Sequence, residues 1–369
     1  MLKRFTVENC KGFQKKLIFD LTARDYEFNQ ELVCDGVVNK AIIYGPNGIG
    51  KSSLGIALFD IVVHLTDKER VRRQYQTNYR NLESNSKVIS FSYLFSFGKD
   101  EVFYEYTKSD VDELMWEKLS INDRVVINYD FFDPTQRFVE KNWIGKLNIE
   151  LADNKLSVIK YIYRNTPTNT VPVLTRMVQF CENMLWYRCL SDGNTYAGFS
   201  NGGANLSKVI YEKAALEKFQ SFLAENGLKY DLDFELENET PVLYAYFQNR
   251  KNKAAFSTLA STGTKALWLF FVWEIMSFDK ISLLFIDEFD AFLHYQSAEN
   301  IVRQLNKITD FQTILTTHNT YLMQNRLTRP DCCFLMSPGK VVNLYESTDK
   351  EIREAHNLEK MYIGGAFRE

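Results

Sequence analysis

Gly45-Pro46-Asn47-Gly48-Ile49-Gly50-Lys51-Ser52 decides how the rest of this chain is read. The stretch fits G-x-x-x-x-G-K-[ST], a loop whose backbone N–H groups curl around a phosphate. The apolar run Ala41-Ile42-Ile43-Tyr44 leads into it and reads as a short buried strand. Ser53-Leu54-Gly55-Ile56-Ala57-Leu58-Phe59 follows and reads as a helix. Strand, glycine-rich loop and helix form the context that phosphate binding needs, because the positive end of the helix dipole then faces the anion. Lys51 is placed to reach the β- and γ-phosphates, and the Ser52 hydroxyl to hold Mg²⁺. Asn47, Gly48, Gly50 and Ser53 complete the candidate nucleotide contacts on this loop. A chance match in a chain this long is on the order of one or two per cent, so the motif gains its weight from what stands near the other end.

There, Ile281-Ser282-Leu283-Leu284-Phe285-Ile286 is a continuous apolar run ending in Asp287-Glu288. It reads as a buried parallel strand with acids at its C-terminal tip, the end where ligands sit in open α/β sheets. Asp287 is the candidate Mg²⁺ ligand, directly or through water, and Glu288 the candidate general base on an attacking water. Upstream, Ala260-Ser261-Thr262-Gly263-Thr264-Lys265 precedes an apolar helix over Ala266 to Met276. Ser261 and Gly263 at that helix start make a second phosphate-facing N-terminus, although alone they describe only an N-cap. Downstream, Phe311 to Leu315 reads as a strand ending in Thr316-Thr317-His318-Asn319. A lone histidine is usually structural; at the tip of the strand after the acids, His318 is a candidate γ-phosphate sensor.

The chain has 369 residues, 45% hydrophobic and 25% charged, with a formal net charge of −3. That length favours one large α/β domain with an insertion, or two domains. The charge balance does not advertise nucleic-acid binding, which would need a local patch. Six cysteines include no C-x-x-C pair, which argues against zinc and a disulfide framework and for reduced thiols. No apolar run reaches the length of a membrane helix and no signal region opens the chain, so a cytoplasmic protein with no membrane partner is expected.

Leu2 to Val7 and Lys16 to Leu21 read as two strands joined by a turn at Cys10-Lys11-Gly12. After the phosphate-loop helix comes a basic, aromatic stretch with Lys68, Arg70, Arg72, Arg73, Tyr75, Tyr79 and Arg80. It can contact a nucleic-acid backbone and stack on bases, or it is a solvated face diluted by Asp67, Glu69 and Glu83. Alternation from Val88 to Lys108 about Phe97-Gly98-Lys99-Asp100 signals a hairpin, and Arg124 to Tyr129 a further strand. Residues from about Gln136 to Gly227 read as mostly helical. Strands are expected again at Tyr230 to Phe234, Val242 to Phe247 and Ala254 to Leu259.

In this order, phosphate loop, Ser-x-Gly helix start, Asp-Glu and Thr-His resemble the ABC-type ATPase heads of SMC, DNA-repair and OLD-like proteins. The resemblance implies an α/β fold: an ABC-type P-loop NTPase head with a mixed sheet and an N-terminal antiparallel β-subdomain, plus a mostly helical insertion between Walker A and the signature motif. Residues 1–135 and 230–369 would form the head and 136–229 the insertion or lid. Ala260 to Thr264 corresponds to the signature motif, with Thr262 and Thr264 departing from Leu-Ser-Gly-Gly-Gln. Asp290 falls in the D-loop region, and His318 matches the switch histidine. Val7 to Phe13 is similar to the N-terminal strand turn near the base and α-phosphate, which makes Lys11 a further nucleotide contact. The Q-loop glutamine has no clear place; Gln136 is a guess.

The short length, the absence of a coiled-coil repeat and the tail Ala355 to Tyr362 resemble bacterial phage-defence ATPases, such as the ATPase subunit of the PARIS system and the RloA and abortive-infection ATPases. This implies a Mg-ATP-dependent switch ATPase acting as a homodimer or higher homo-oligomer through composite ATP sites. It would control a separate effector, a nuclease (Toprim-like or other) or a toxin, in anti-phage defence, with a nucleic acid or phage protein as trigger. Asp231-x-Asp233 resembles part of a Toprim centre but opens a hairpin. The alternatives are a DNA-repair or recombination ATPase that binds DNA directly, and a transporter ATPase subunit.

Overall fold

The chain is described by a computed structural model over residues 1–66, 68, 77–145, 147–151, 153–188, 195–198, 202–203 and 205–367. Strands Lys40–Tyr44, Leu283–Asp287 and Gln312–Thr317 are buried along their whole length. The reason is position: they lie in the middle of an eight-stranded sheet. From edge to edge the order is Gly202–Gly203, Thr195–Gly198, Met184–Arg188, Leu283–Asp287, Gln312–Thr317, Lys40–Tyr44, Cys333–Ser337 and Lys340–Asn343. Pairings from Met184–Arg188 to Cys333–Ser337 are parallel, while the outer strands pair antiparallel. Both faces of a mainly parallel sheet are covered, so its strands read as unbroken apolar runs.

Alternation along each strand divides its side chains between two cores. Ala41, Ile43, Leu283, Phe285 and Ile314 enter one, and Ile42, Tyr44, Leu284, Ile286 and Leu315 the other. The first core is roofed by a seven-stranded sheet ordered Phe138–Val139, Arg124–Asp130, Glu113–Ile121, Asp100–Asp110, Ile89–Phe97, Leu2–Glu8 and Leu17–Asp20. All its pairings are antiparallel. Phosphate-loop helix Lys51–Leu58 and helix Asp60–Leu65 are held in this first core. Gly55 lets the first helix press close, since a Cβ there would come within 2.7 Å of the Phe285 ring. One side chain joins the two sheets: Gln312 Nε2 donates to the Leu2 and Val38 carbonyls, and its Oε1 accepts from the Leu2 amide.

The second core is built on helix Thr262–Ser277, whose residues from Ala266 to Trp273 are all buried. A helix apolar all round belongs in a core. Leu206–Glu212 and Leu216–Glu225 line its flank, with the Phe219 ring 5.1 Å from that of Phe271. Strands Asp231–Glu237, Thr240–Phe247 and Asn252–Ala255 form a small antiparallel sheet beside them. Ala254 to Leu259 is not one strand: Phe256–Leu259 turns helical, because Phe256 is drawn fully inside against the rings of Phe219 and Trp268.

The stretch expected as a mostly helical insertion also contributes to the central sheet. It carries helices, but Met184–Arg188 slots into the central sheet beside the acid strand, in the register Arg188 to Asp287. Helix Pro172–Glu182 packs into the first core and Leu216–Glu225 into the second. Among the described residues no helix is long and apolar enough to cross a membrane.

Candidate functional site

Parallel register brings the singled-out residues to one edge of the sheet. Tyr44 is opposite Thr317, and Ile286 opposite Leu315, so the residues that follow each strand emerge side by side. From Lys40–Tyr44 comes the phosphate loop. It closes onto helix Lys51–Leu58 through Gly50, which takes φ +109° at the N-cap, a conformation that excludes side chains. The Lys51 ammonium, almost fully buried, donates to the carbonyls of Gly45 at 2.7 Å and Pro46 at 2.9 Å, which holds the charge across the loop mouth. Burial lowers its pKa, opposed by Glu288, Asp287 and Asp290. Ser52 and Ser53 are half-buried at the helix start, while Asn47 and Gly48 are exposed on the loop.

Asp287 ends its strand completely buried. Its Oδ1 accepts from Thr316 Oγ1 at 2.8 Å, and its Oδ2 has no hydrogen-bond partner of good geometry. Burial raises its pKa; the Ser52 and Thr316 hydroxyls and Arg188 oppose that rise. An orphaned carboxylate oxygen beside a serine hydroxyl is the donor set a small hard cation takes, so Asp287 and Ser52 fit Mg²⁺.

Glu288 leaves the strand in the left-handed region, φ +51°. Its amide donates to Thr316 Oγ1 at 2.8 Å, so this one hydroxyl grips both acids. Asp290 is buried, accepts from Thr317 Oγ1 at 2.8 Å, and burial raises its pKa too. His318 is exposed and shares a cavity of about 400 Å³ with Tyr44, Gly45, Pro46, Ile49 and Tyr362.

Ser261 caps helix Thr262–Ser277, its Oγ accepting from the Thr264 amide at 3.2 Å. Gly263 is required by contact rather than torsion: a Cβ there would lie 2.7 Å from the Phe292 carbonyl. That ties the helix start to the loop after Asp290. Among the described residues no hydrogen bond links Ser261 or Gly263 to the phosphate loop. Lys11, at φ +52°, donates from Nζ to the Thr77 carbonyl at 2.8 Å, and burial lowers its pKa. Its turn meets the loop through Phe13, whose ring would be 3.6 Å from a Cβ on Gly50.

Other expectations fare differently. Gln136 sits exposed in the turn Pro134–Gln136 beside the outer strands of the antiparallel sheet. The side chain that does reach the acids is Arg188, which no sequence signal singled out: Nη2 is 2.6 Å from Glu288 Oε2 and Nε 3.6 Å from Asp287 Oδ2. Asp231 and Asp233 clamp Arg250 at 2.6 and 2.9 Å on an exposed face, and among the described residues no cluster of potential metal ligands appears. Arg70, Arg72, Arg73 and Tyr75 lie outside the described residues. Tyr79 does not offer a ring for stacking on bases: it is buried, its hydroxyl donating to Asp60 at 2.6 Å.

Comparison with known proteins gives a family match over part of the chain and a general likeness. Residues 193–324 match the family described as "AAA domain, putative AbiEii toxin, Type IV TA system". This stretch carries Ser261, Gly263, the acids and His318, but not the phosphate loop. No curated protein matches. A solved SMC head bound to the C-winged helix domain of ScpA is 16% identical, covering 93% of this chain and 97% of that one at a TM-score of 0.47. The SMC head domain from Thermotoga maritima is 16% identical, covering 93% and 98% at 0.43. An Smc head with an extended coiled coil, bound to the C-terminal domain of ScpA derived from Pyrococcus furiosus, is 13% identical, covering 94% and 97% at 0.47. At these scores no residue role is carried across.

Proposed function

We propose that this chain binds Mg-ATP and hydrolyses it as a switch. The observation that carries the reading is the convergence of Lys51, Ser52, Asp287, Glu288 and His318 at the tips of three adjacent strands, two of which are tied by Thr316. Lys51 and the loop amides bind the β- and γ-phosphates, while Ser52 and Asp287 Oδ2 hold the metal. Mg²⁺ bound there would neutralise phosphate charge and fix the geometry of the β- and γ-oxygens. Glu288 accepts the proton of the attacking water, and His318, facing the loop across its cavity, senses the γ-phosphate.

Two copies would complete each other's sites. The exposed Ser261 and the helix start at Gly263, which among the described residues make no hydrogen bond to their own phosphate loop, would present an N-terminal anion site to a second copy. ATP would close this homodimer and hydrolysis open it. In anti-phage defence the switch would release or restrain a separate nuclease or toxin, a role favoured by the abortive-infection context of the matched family. Glu288→Gln tests the core of the reading. It keeps ATP binding and the size of the side chain but removes the base, so turnover should fall at least a hundredfold while an ATP-bound dimer accumulates on size exclusion. Wild-type turnover in this variant overturns the assignment. DNA-stimulated hydrolysis in the wild type would favour a DNA-repair ATPase instead.

A further inference from the structure

We infer that Tyr79 is a positioning residue for the nucleotide: through Asp60 it fastens the turn from Cys10 to Phe13 against the phosphate loop. The inference rests on the Mg-ATP reading above and deepens it by naming what holds that loop from behind.

Asp60 follows the phosphate-loop helix almost at once, since Phe59 both ends Lys51–Leu58 and begins Asp60–Leu65. The carboxylate is therefore carried on the helix pair that starts at Lys51. Its Oδ1 accepts from the Tyr79 hydroxyl at 2.6 Å, and both residues are buried. The chain around Tyr79 in turn holds the N-terminal turn. The Tyr79 carbonyl accepts from the Lys11 amide at 2.9 Å, Asn81 Nδ2 donates to the Lys11 carbonyl at 2.7 Å, and the Asn81 amide donates to the Asn9 carbonyl at 3.2 Å. Cys10 and Phe13 close the turn by exchanging two backbone hydrogen bonds, at 2.8 and 3.1 Å. Phe13 returns the path to its start, because its ring lies 3.6 Å from where a Cβ on Gly50 would stand.

A closed circuit thus runs from Gly50 along the helix to Asp60, across to Tyr79, into the turn and through Phe13 back to Gly50. Lys11 stands in it at φ +52°, a region its side chain disfavours. Strain of this kind persists only where the surroundings fix it, and it gathers at ligand clamps. Gly50 is the N-cap of the phosphate-loop helix, at φ +109°, where N–H groups must line up on the phosphates. Whatever backs Gly50 therefore bears on phosphate binding. Without the Tyr79 hydroxyl the turn keeps its backbone bonds but loses its tie to the helix pair, and Phe13 no longer backs the loop in one place. Tyr106 supplies the contrast. Its hydroxyl donates to the other oxygen of the same carboxylate, Asp60 Oδ2, at 2.8 Å. Tyr106, however, belongs to strand Asp100–Asp110, paired with Ile89–Phe97 and Glu113–Ile121 rather than with the turn.

The test compares two deletions of a single hydroxyl. Tyr79→Phe and Tyr106→Phe are each first shown to melt cooperatively, and their affinity for a fluorescent ATP analogue is measured with MgCl₂ in excess. Tyr79→Phe should bind the analogue about threefold to tenfold more weakly than wild type, the scale of one hydrogen bond. The loss in turnover should appear in KM rather than kcat. Tyr106→Phe should lower the melting temperature by a comparable amount yet bind within about twofold of wild type. If Tyr79→Phe does not fold, Asn81→Ala, which releases the Lys11 carbonyl instead, replaces it with the same expectation. Wild-type affinity in the Tyr79 variant, or equal weakening in both variants, overturns the inference while leaving the ATPase reading standing. Failure of the wild type to bind the analogue at any Mg²⁺ concentration overturns the reading beneath it.

Discussion

Two sets of buried acids in this molecule are treated in opposite ways. In the first core, Asp60 and Glu117 are completely partnered. Asp60 accepts from Tyr79 at 2.6 Å, Tyr106 at 2.8 Å and Lys108 at 2.6 Å. Glu117 accepts from His64 Nε2 at 3.0 Å, Tyr104 at 2.5 Å, Ser157 Oγ at 2.6 Å and the Val158 amide at 2.7 Å. At the strand tips, Asp287 and Asp290 are nearly as buried, yet each keeps one oxygen without a hydrogen bond. The consequence shows in their proton affinity. Burial pushes all four upward. Lys108, the Tyr79 hydroxyl and His64 more than offset it for Asp60, and the hydrogen bonds of His64, Ser157 and Tyr104 do so for Glu117. Asp287 and Asp290 stay raised. A saturated acid holds the fold together, whereas an acid left short of partners is held ready for something else.

The contrast breaks most visibly at Lys108. Lys108→Met leaves Asp60 buried without its cation and should cost about 3–5 kcal/mol, read as a large fall in the denaturation midpoint. If the loss is under about 1 kcal/mol, the first cluster is not the scaffold described. Next comes Thr316→Val, which removes the acceptor of the Glu288 amide and the donor to Asp287. It should cost about 1–3 kcal/mol, and turnover should drop with it; unchanged turnover would show that Glu288 does not depend on that grip.

Asp287→Asn should do the reverse of Lys108→Met: abolish Mg²⁺-dependent turnover yet stabilise the fold by about 1 kcal/mol. Its pH dependence carries the sign. The folded pKa lies above the ordinary value of 3.8, so the folded state binds more protons in that window and the wild type loses stability as pH rises through it. The advantage of Asp287→Asn should therefore grow from pH 4 upward, and an advantage that shrinks with pH would contradict the raised pKa. Asp60→Asn behaves oppositely, since its folded pKa is depressed and its contribution is lost only as pH falls below 3.8.

The smallest effect concerns Lys40, buried where its strand begins, with Nζ donating to the Phe311 carbonyl at 2.7 Å. Burial lowers its pKa to about 7, with Asp310 opposing. The unfolded chain thus binds more protons between pH 7 and 10.5, and stability attributable to this group rises with pH across that window. Lys40→Met should flatten that slope and gain on the order of 1 kcal/mol at pH 7; an unaltered slope in chemical denaturation would show that Lys40 does not titrate there.

The parts legible in the sequence were those whose chemistry is local. A glycine-rich loop between an apolar run and a helix, and acids closing an apolar run, announce themselves within a few residues. So did the hairpin at Phe97 to Asp100, where Gly98 takes φ +68°. What stayed hidden depended on distant neighbours. Met184–Arg188 is a short apolar run that periodicity alone cannot assign; it is a strand because Leu283–Asp287 receives it. Arg188 could not be singled out, since its meaning comes from acids about a hundred residues later. Thr316 was visible as part of a strand end, but its double grip follows only from the register.

Strand Lys40–Tyr44 carries the phosphate loop, and its two sheet neighbours are Gln312–Thr317 and Cys333–Ser337. On the ribosome, the loop is therefore translated long before the strands that flank it exist. Until both have emerged, the loop's own strand has no partner on either side, and Gln312 cannot yet fasten Leu2 to it. An incomplete chain thus has the full phosphate-binding motif and no rigid frame to present it. The nucleotide capture proposed above would therefore wait until both flanking strands have emerged, after the acids and the histidine.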